Sequence, residues 1–416
     1  MHAPAPRRGA RQRAGGVGAA TQSILVAATL LAGSALATPG QAHDLREALT
    51  MAYTSNPTLA AAREQQKAVD EGVPLARADG LPQVSGTASE TEFVVQNPLQ
   101  TPAPKRVLAL SGSFSVPLYQ GGAVRNAIKA AETRVTAGQS SLAGTESSVF
   151  TQVVGAYMDV ILGEAVVRFN RANVQSLDAN LQATQDRFQI GEVTRTDVAQ
   201  SQSRLALAQG QLRSAEAELV TAREQYIAII GEPPGDLAPP PPLPGLPDNA
   251  DAAVATALSA NPDLAAARAQ SRAATYDVHA AEAGRLPKLS IVGGAEHDDY
   301  LRSLKIDGNV GPVPQTADSA TVGVTATIPL FSGGRTTANV RRAEATAGAA
   351  LNSEIGTERA VIASVRAAWS SWQASNEIIA STQTALDAAK LSLEGVRAEN
   401  SVGNRTILDI LNAEQE

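Results

Sequence analysis

The octapeptide Ser115–Gly122, Ser-Val-Pro-Leu-Tyr-Gln-Gly-Gly, returns 212 residues later as Thr327–Gly334, Thr-Ile-Pro-Leu-Phe-Ser-Gly-Gly. Each copy closes an alternating run of strand character. Each also opens an Ala-rich run of 68 residues without proline, bounded by Gly191 in the first case and Gly403 in the second. A strand feeding a very long helix, written twice, predicts two copies of one structural module.

Other pairs align with these junctions. Asn56-Pro57 is answered by Asn261-Pro262, Leu59–Arg63 by Leu264–Arg268, and Leu81-Pro82 by Leu286-Pro287, all at an offset of 205. A seven-residue insertion between the later strands accounts for the change to 212. The repeats are placed at 43–230 and 250–416, with a Pro-rich connector at 231–249 around Pro239–Pro242. Such a run excludes helix interior and central strand, so an extended connector is expected.

Within the first repeat, Leu45–Ser55 reads as a short helix. Asn56 caps the next one and Pro57 starts it, and Gly80-Leu81-Pro82 ends that helix. A strand pair follows at about 82–118. In its second strand Leu108, Leu110, Phe114 and Val116 face one way, and Ala109, Ser111, Ser113 and Ser115 the other. The hairpin 123–230 carries apolar residues at steps of seven: Ile128, Val135, Leu142 and Val149, then Val160, Val167, Val174, Leu181 and Phe188. The 11-residue gap between the sets is a four-residue stutter. The return helix sets Val198, Leu205, Leu212, Leu219 and Tyr226 against Ser201, Ala208, Ala215 and Ala222. Large residues opposite small ones bring antiparallel helices close.

The second repeat predicts a strand pair at 287–330 and a long helix at 335–402, with Trp372, Ile379, Leu386 and Leu393 in sevens. Only seven residues follow Asp409, whereas the matching helix runs 34 residues past Asp197 to Gly231. By symmetry about 25 further helical residues are expected.

Ahead of the repeats, Arg7, Arg8, Arg11 and Arg13 precede the apolar Ile24–Leu36 and the small-x-small site Ala35-Leu36-Ala37, with Gly40-Gln41-Ala42 as a second candidate. Residues 1–42 therefore read as a signal peptide of an exported chain. No later segment holds 18 uninterrupted apolar residues, so a membrane span would have to be built from strands. The net charge of −7 is intermingled, which gives no nucleic-acid footprint. Without cysteine there is no disulfide framework, Cys metal site or lipidated N-terminal cysteine. No nucleophile–base set, metal spacing or phosphate loop stands out, so neither enzyme activity nor a cofactor is expected.

Strands with one apolar and one small polar face suit either a membrane barrel or a soluble hairpin. Four strands cannot close a membrane barrel, which needs about 8. An open sheet in lipid would leave its edges unsatisfied. If the strands span a membrane, several chains must share one barrel, and three chains would supply 12 strands. The competing reading is a soluble periplasmic coiled-coil adaptor or structural protein.

In order and duplicated, the Asn-Pro, Leu-Pro and Pro-Leu-x-x-Gly-Gly elements resemble the TolC family of outer-membrane efflux and secretion channels. The two glycine turns, Phe188–Asp197 and Val402–Leu411, complete the resemblance, which covers Leu45 to Glu416. The Pro-rich connector and Asp44-Leu-Arg-Glu-Ala are similar to the type I secretion branch. The resemblance implies an α+β membrane protein: a homotrimer with a 12-stranded β-barrel in the outer membrane lipid and long antiparallel coiled-coil helices forming an α-barrel across the periplasm. It implies an exporter, for type I protein secretion or multidrug efflux, served by a periplasmic adaptor (membrane fusion) protein and an inner-membrane ABC or RND-type transporter.

The resemblance also assigns residues. The turns Gly191, Glu192, Val193, Thr194 and Gly403, Asn404, Thr406 would meet the adaptor. Thr196 and Asp197 would face Arg405 as an entrance latch, and Asp409 would line the tunnel. Asn412 stands where the family has a second acidic residue, and Asn400 where it has a tyrosine of the closing network. The alternative role for Asp197 and Asp409 is ordinary charge stabilisation at a helix N-terminus. Pro117, Gly121, Gly122, Pro329, Gly333 and Gly334 form the strand–helix junctions. Tyr119 and Phe331 are candidates for an aromatic girdle or for plain strand-end packing.

Overall fold

A computed structural model describes residues 44–95, 104–243, 245–305 and 312–416. The signal-peptide assignment lies outside these residues.

The first repeat begins with α1 (Leu45–Ser55), α2 (Pro57–Asp70) and α3 (Gly72–Ala78). Next come β1 (Gln83–Glu92), β2 (Arg106–Tyr119), the long α4 (Ala123–Gln189) and its return α5 (Arg195–Ile230). The second repeat has α6 (Ala250–Ala260), α7 (Pro262–Glu282), β3 (Lys288–Asp299), β4 (Thr316–Thr327), α8 (Arg335–Ser401) and α9 (Ile407–Gln415). Helix α4 has 67 residues, about 100 Å at 1.5 Å per residue.

The two shorter helical runs of the first repeat meet end to end along α4. Asn56 makes the joint. Its Oδ1 accepts from the backbone N–H groups of Thr58 (2.9 Å) and Leu59 (3.3 Å), and its Nδ2 donates to the carbonyl of Ile229 (2.9 Å). Beside it the Ser55 hydroxyl donates to Ile230 O at 2.8 Å. One buried side chain thus starts α2 and satisfies the end of α5. Asn56→Ala removes both functions. It is expected to cost about 2 kcal/mol or more, read as a fall in the chemical-denaturation midpoint.

Around this joint lies the main core: Ala48 and Ala52 of α1, Leu59 of α2, Val149, Val153, Tyr157 and Val160 of α4, and Leu219, Tyr226 and Ile230 of α5. The connector is pinned to it, because the Tyr157 hydroxyl donates to Ala238 O at 2.6 Å. The neighbouring Tyr226 hydroxyl is buried with no hydrogen-bond partner among the described residues, and burial pushes its pKa up to about 12. The two tyrosines should therefore respond oppositely. Tyr157→Phe is expected to lose about 1 kcal/mol of stability, and Tyr226→Phe to lose nothing or gain, as read by thermal unfolding.

By length and composition α4 could cross a membrane, with an 18-residue mean hydropathy of 1.4. The test of uninterrupted apolar residues misses it. Its residues Val149, Val153, Tyr157 and Val160 are spent on packing against α1 and α5. The expected seam holds in α5, where Ser201, Leu205, Ala208, Ala215, Leu219 and Tyr226 are all buried. Along the first third of α4 it moves to the smaller Ala130 and Ala137, while Ile128 and Val135 are half-buried. Phe188 stays 44% exposed. On α8, Trp372, Ile379 and Leu386 are exposed within one chain.

The four strands form one antiparallel sheet in the order β1-β2-β3-β4. Its registers sort the residues cleanly. Val84, Phe114, Gly293 and Val322 lie in one cross-strand row, and Ser85, Ser113, Gly294 and Thr321 in the next. One face is therefore apolar around Phe114, and at its far end it carries the His297–Asp318 pair at 2.6 Å. The other is lined by small polar side chains, including a 2.8 Å Ser85–Ser113 hydroxyl bond. The Phe114 ring lies over Gly293 and fills the place of its missing side chain. Among the described residues strands β1 and β4 each have one neighbour, so both outer edges are open.

Candidate functional site

The two glycine turns, which join α4 to α5 and α8 to α9, have the same construction. Gly191 has φ +81° and Gly403 φ +82°. Glu192 N–H returns to Arg187 O (2.9 Å), and Asn404 N–H to Glu399 O (3.0 Å). These left-handed glycines satisfy the last carbonyls of the long helices, which a β-carbon at this φ would hinder.

Each turn then restarts with a capping box. Thr194 Oγ1 accepts from Asp197 N–H (3.3 Å), and Asp197 Oδ2 accepts from Thr194 N–H and its hydroxyl, both at 2.8 Å. Thr406 and Asp409 repeat this with 3.3, 2.9 and 2.8 Å. Asp197 and Asp409 thus have the local N-terminal role within one chain. The backbone N–H and hydroxyl of Thr406 hold the Asp409 carboxyl below the usual carboxylate range, with Arg405 adding to the effect.

Arg405 does not meet Thr196 or Asp197 within the chain. Its Nε donates to Glu399 Oε2 at 2.7 Å, and this carboxylate raises the guanidinium pKa above its ordinary value. Asn400, at the position of the expected tyrosine, donates to Arg405 O at 2.7 Å and stiffens the turn from inside.

The contacts that bind α9 to the first hairpin lie just above the turns. Leu411, 2% exposed, packs with Leu177, Leu205 and Ala208. Arg204 donates to Asn412 Oδ1 at 3.0 Å and also reaches Gln415. Glu414 accepts from Asn180 of α4 and, at 2.6 Å, from Arg397 of α8. These contacts bring both turns to one end of the molecule. In the sequence Leu411 is only the end of the second turn motif, and its packing has no signal there. The polar partners are more than 200 residues apart, except Arg397 and Glu414, and carry no motif.

At the opposite end, the glycine pairs of the strand–helix junctions are left-handed: Gly121 φ +66°, Gly122 +86°, Gly333 +60° and Gly334 +80°. The two junctions differ in crowding. A β-carbon on Gly121 would lie 2.8 Å from Ala283 O and from Leu286 Cβ, whereas one on Gly333 would meet nothing within 4 Å.

An amphipathic sheet with open edges at one end, and paired helical hairpins closed by capped turns at the other, defines a channel-forming protein. The family model of the outer membrane efflux protein matches residues 48–232 and 253–416, and the chain belongs to that family. Outer membrane efflux protein BepC of Brucella suis is 32% identical over 403 residues, 95% of this chain and 85% of its own. Outer membrane protein TolC of Vibrio cholerae is 27% identical over 376 residues, 89% of this chain and 84% of its own. The solved structure of the outer membrane protein VceC of Vibrio cholerae has the same fold. Its TM-score is 0.74 at 22% identity, over 89% of each chain. The chain is therefore an outer-membrane channel protein and not an enzyme, and the soluble-adaptor alternative falls.

Proposed function

We propose that three copies of this chain close one 12-stranded barrel in the outer membrane, and that their helices form a tunnel through which substrate leaves the periplasm. The observation that carries this is the four-stranded sheet. Its apolar and polar faces fit lipid outside and water inside, and its two open edges need partners that another copy supplies. Exposed Met158 and Leu162 on α4, and Trp372, Ile379 and Leu386 on α8, are then covered by neighbouring chains.

The turn end is the entrance. There the turns Gly191–Thr194 and Gly403–Thr406 receive a periplasmic adaptor, which couples the tunnel to an inner-membrane ABC or RND-type transporter. Thr196 and Asp197 engage Arg405 between neighbouring coils. Arg405 is half-exposed and holds only the local Glu399, so it can exchange partners at little cost. Asp409 forms a ring of three carboxylates at the constriction. The exported substrate belongs to multidrug efflux or type I protein secretion, in line with the efflux name of the Brucella relative.

Light scattering of the full-length protein with the detergent contribution subtracted tests this reading. A trimer mass supports the shared barrel. A stable monomer overturns it.

A further inference from the structure

We propose that the groove between α4 and α7, just below the strands, binds the phosphate of an anionic phospholipid from the leaflet that faces the helices. The inference rests on the outer-membrane placement of the sheet and not on the number of chains in the assembly.

The groove begins at the lipid-facing wall. Strand β2 has an irregularity between Pro117 and Tyr119 that sets Tyr119 opposite Leu289, on the apolar face of the sheet. Tyr119 lines an open recess at the β2–α4 junction, beside Gly80, together with Leu118, Val124 and Arg125. Lys129, one turn further along α4, opens a second recess shared with Arg272 and Tyr276 of α7. Its Nζ stands 5.7 Å from the centre of the Tyr276 ring. From Arg125 to Lys129 is about 6 Å along the helix, about the thickness of one headgroup layer.

The charge in the groove is one-sided. Among the described residues Arg125, Lys129 and Arg272 make no ion pair, and Glu132, the acid beside them, is matched by Arg77 at 3.1 Å. Lys129 and Arg272 in the groove, with Arg125 one turn before Lys129 on α4 beside the apolar wall, suit a ligand with an acyl chain and an anionic phosphate. Arginine would grip two phosphate oxygens, lysine would add a point charge, and the tyrosines suit the interface. A zwitterionic headgroup offers these cations no net charge.

Topology keeps the groove open in an assembly. Helix α4 follows β2 and α7 precedes β3, and these are the two inner strands. Chains that pair through β1 and β4 meet on either side of the groove rather than across it.

The test is native mass spectrometry of the full-length protein from micelles doped equally with phosphatidylglycerol and phosphatidylcholine, with adducts counted per chain. The wild type is expected to retain phosphatidylglycerol preferentially. R125Q/K129Q is expected to lower that preference by about fivefold per removed charge. R341Q/R342Q removes the same charge from exposed α8 positions outside the groove and is expected to keep it. The proposal is overturned by no preference in the wild type, by equal loss in both variants, or by displacement of the lipid by inorganic phosphate at matched concentration. Counting per chain makes the outcome independent of whether the mass is that of a trimer, so failure here and failure of the shared-barrel reading are separately visible.

Discussion

Gly121→Ala is expected to leave the helical hairpins intact and to prevent the sheet from docking on them. Two effects combine. At φ +66° an alanine is strained by about 1–2 kcal/mol. The added methyl would also press on Ala283 O and Leu286 Cβ at 2.8 Å, atoms of the segment that leads into β3. The closest of these atoms are a backbone carbonyl oxygen and a β-carbon, neither of which is the far end of a flexible side chain, so local relaxation is costly. Gly333→Ala meets the same dihedral penalty at φ +60° with open space around it, and is expected to cost only that penalty. The measurement is the yield of heat-resistant, detergent-extracted oligomer from outer membranes. Near-total loss for Gly121→Ala beside a modest loss for Gly333→Ala is expected. Equal yields would show that the two junctions are mechanically equivalent despite their different surroundings.

Asp409→Asn is expected to reduce the cation preference of the open channel several-fold in reversal-potential measurements under a salt gradient. The neighbouring Asn412 is neutral and already engaged with Arg204, so Asp409 supplies the carboxylates of the proposed ring. Acid should mimic the substitution. Thr406 lowers the Asp409 pKa, so both the charge and the stability it lends to the start of α9 persist at and above the ordinary carboxylate value. They are lost only as the pH falls through the lowered value. Selectivity should therefore hold through mildly acidic conditions and collapse below the usual carboxylate range. An unchanged reversal potential in Asp409→Asn would remove this residue from the conduction path.

The sequence alone was sufficient for many features governed by short spacings, though the run from Pro57 is two helices, α2 and α3, rather than one. Capping by Asn56 and its repeat Asn261 depends on groups two or three residues away, and the left-handed turns depend on single glycines, whereas the capping boxes of Thr194 and Thr406 were not read from the sequence. Period-two alternation separates the Phe114 face from the Ser113 face before any partner strand is known. Duplication multiplied each of these weak signals, so the order of elements, the sheet faces and the two turns were legible together.

Tertiary structure decided what depends on the relative rotation and offset of long helices. Over 67 residues a small drift in the seam moves burial from Ile128 and Val135 to Ala130 and Ala137, which periodicity alone does not resolve. The same azimuths decide that Arg405 turns back to Glu399 within its own turn, that Glu414 receives Asn180 from 234 residues away, and that Tyr157 rather than Tyr226 finds a carbonyl. Nothing local distinguishes those partners. A side-chain bond between distant helices requires two angles and one offset to agree, and packing of the whole module sets all three.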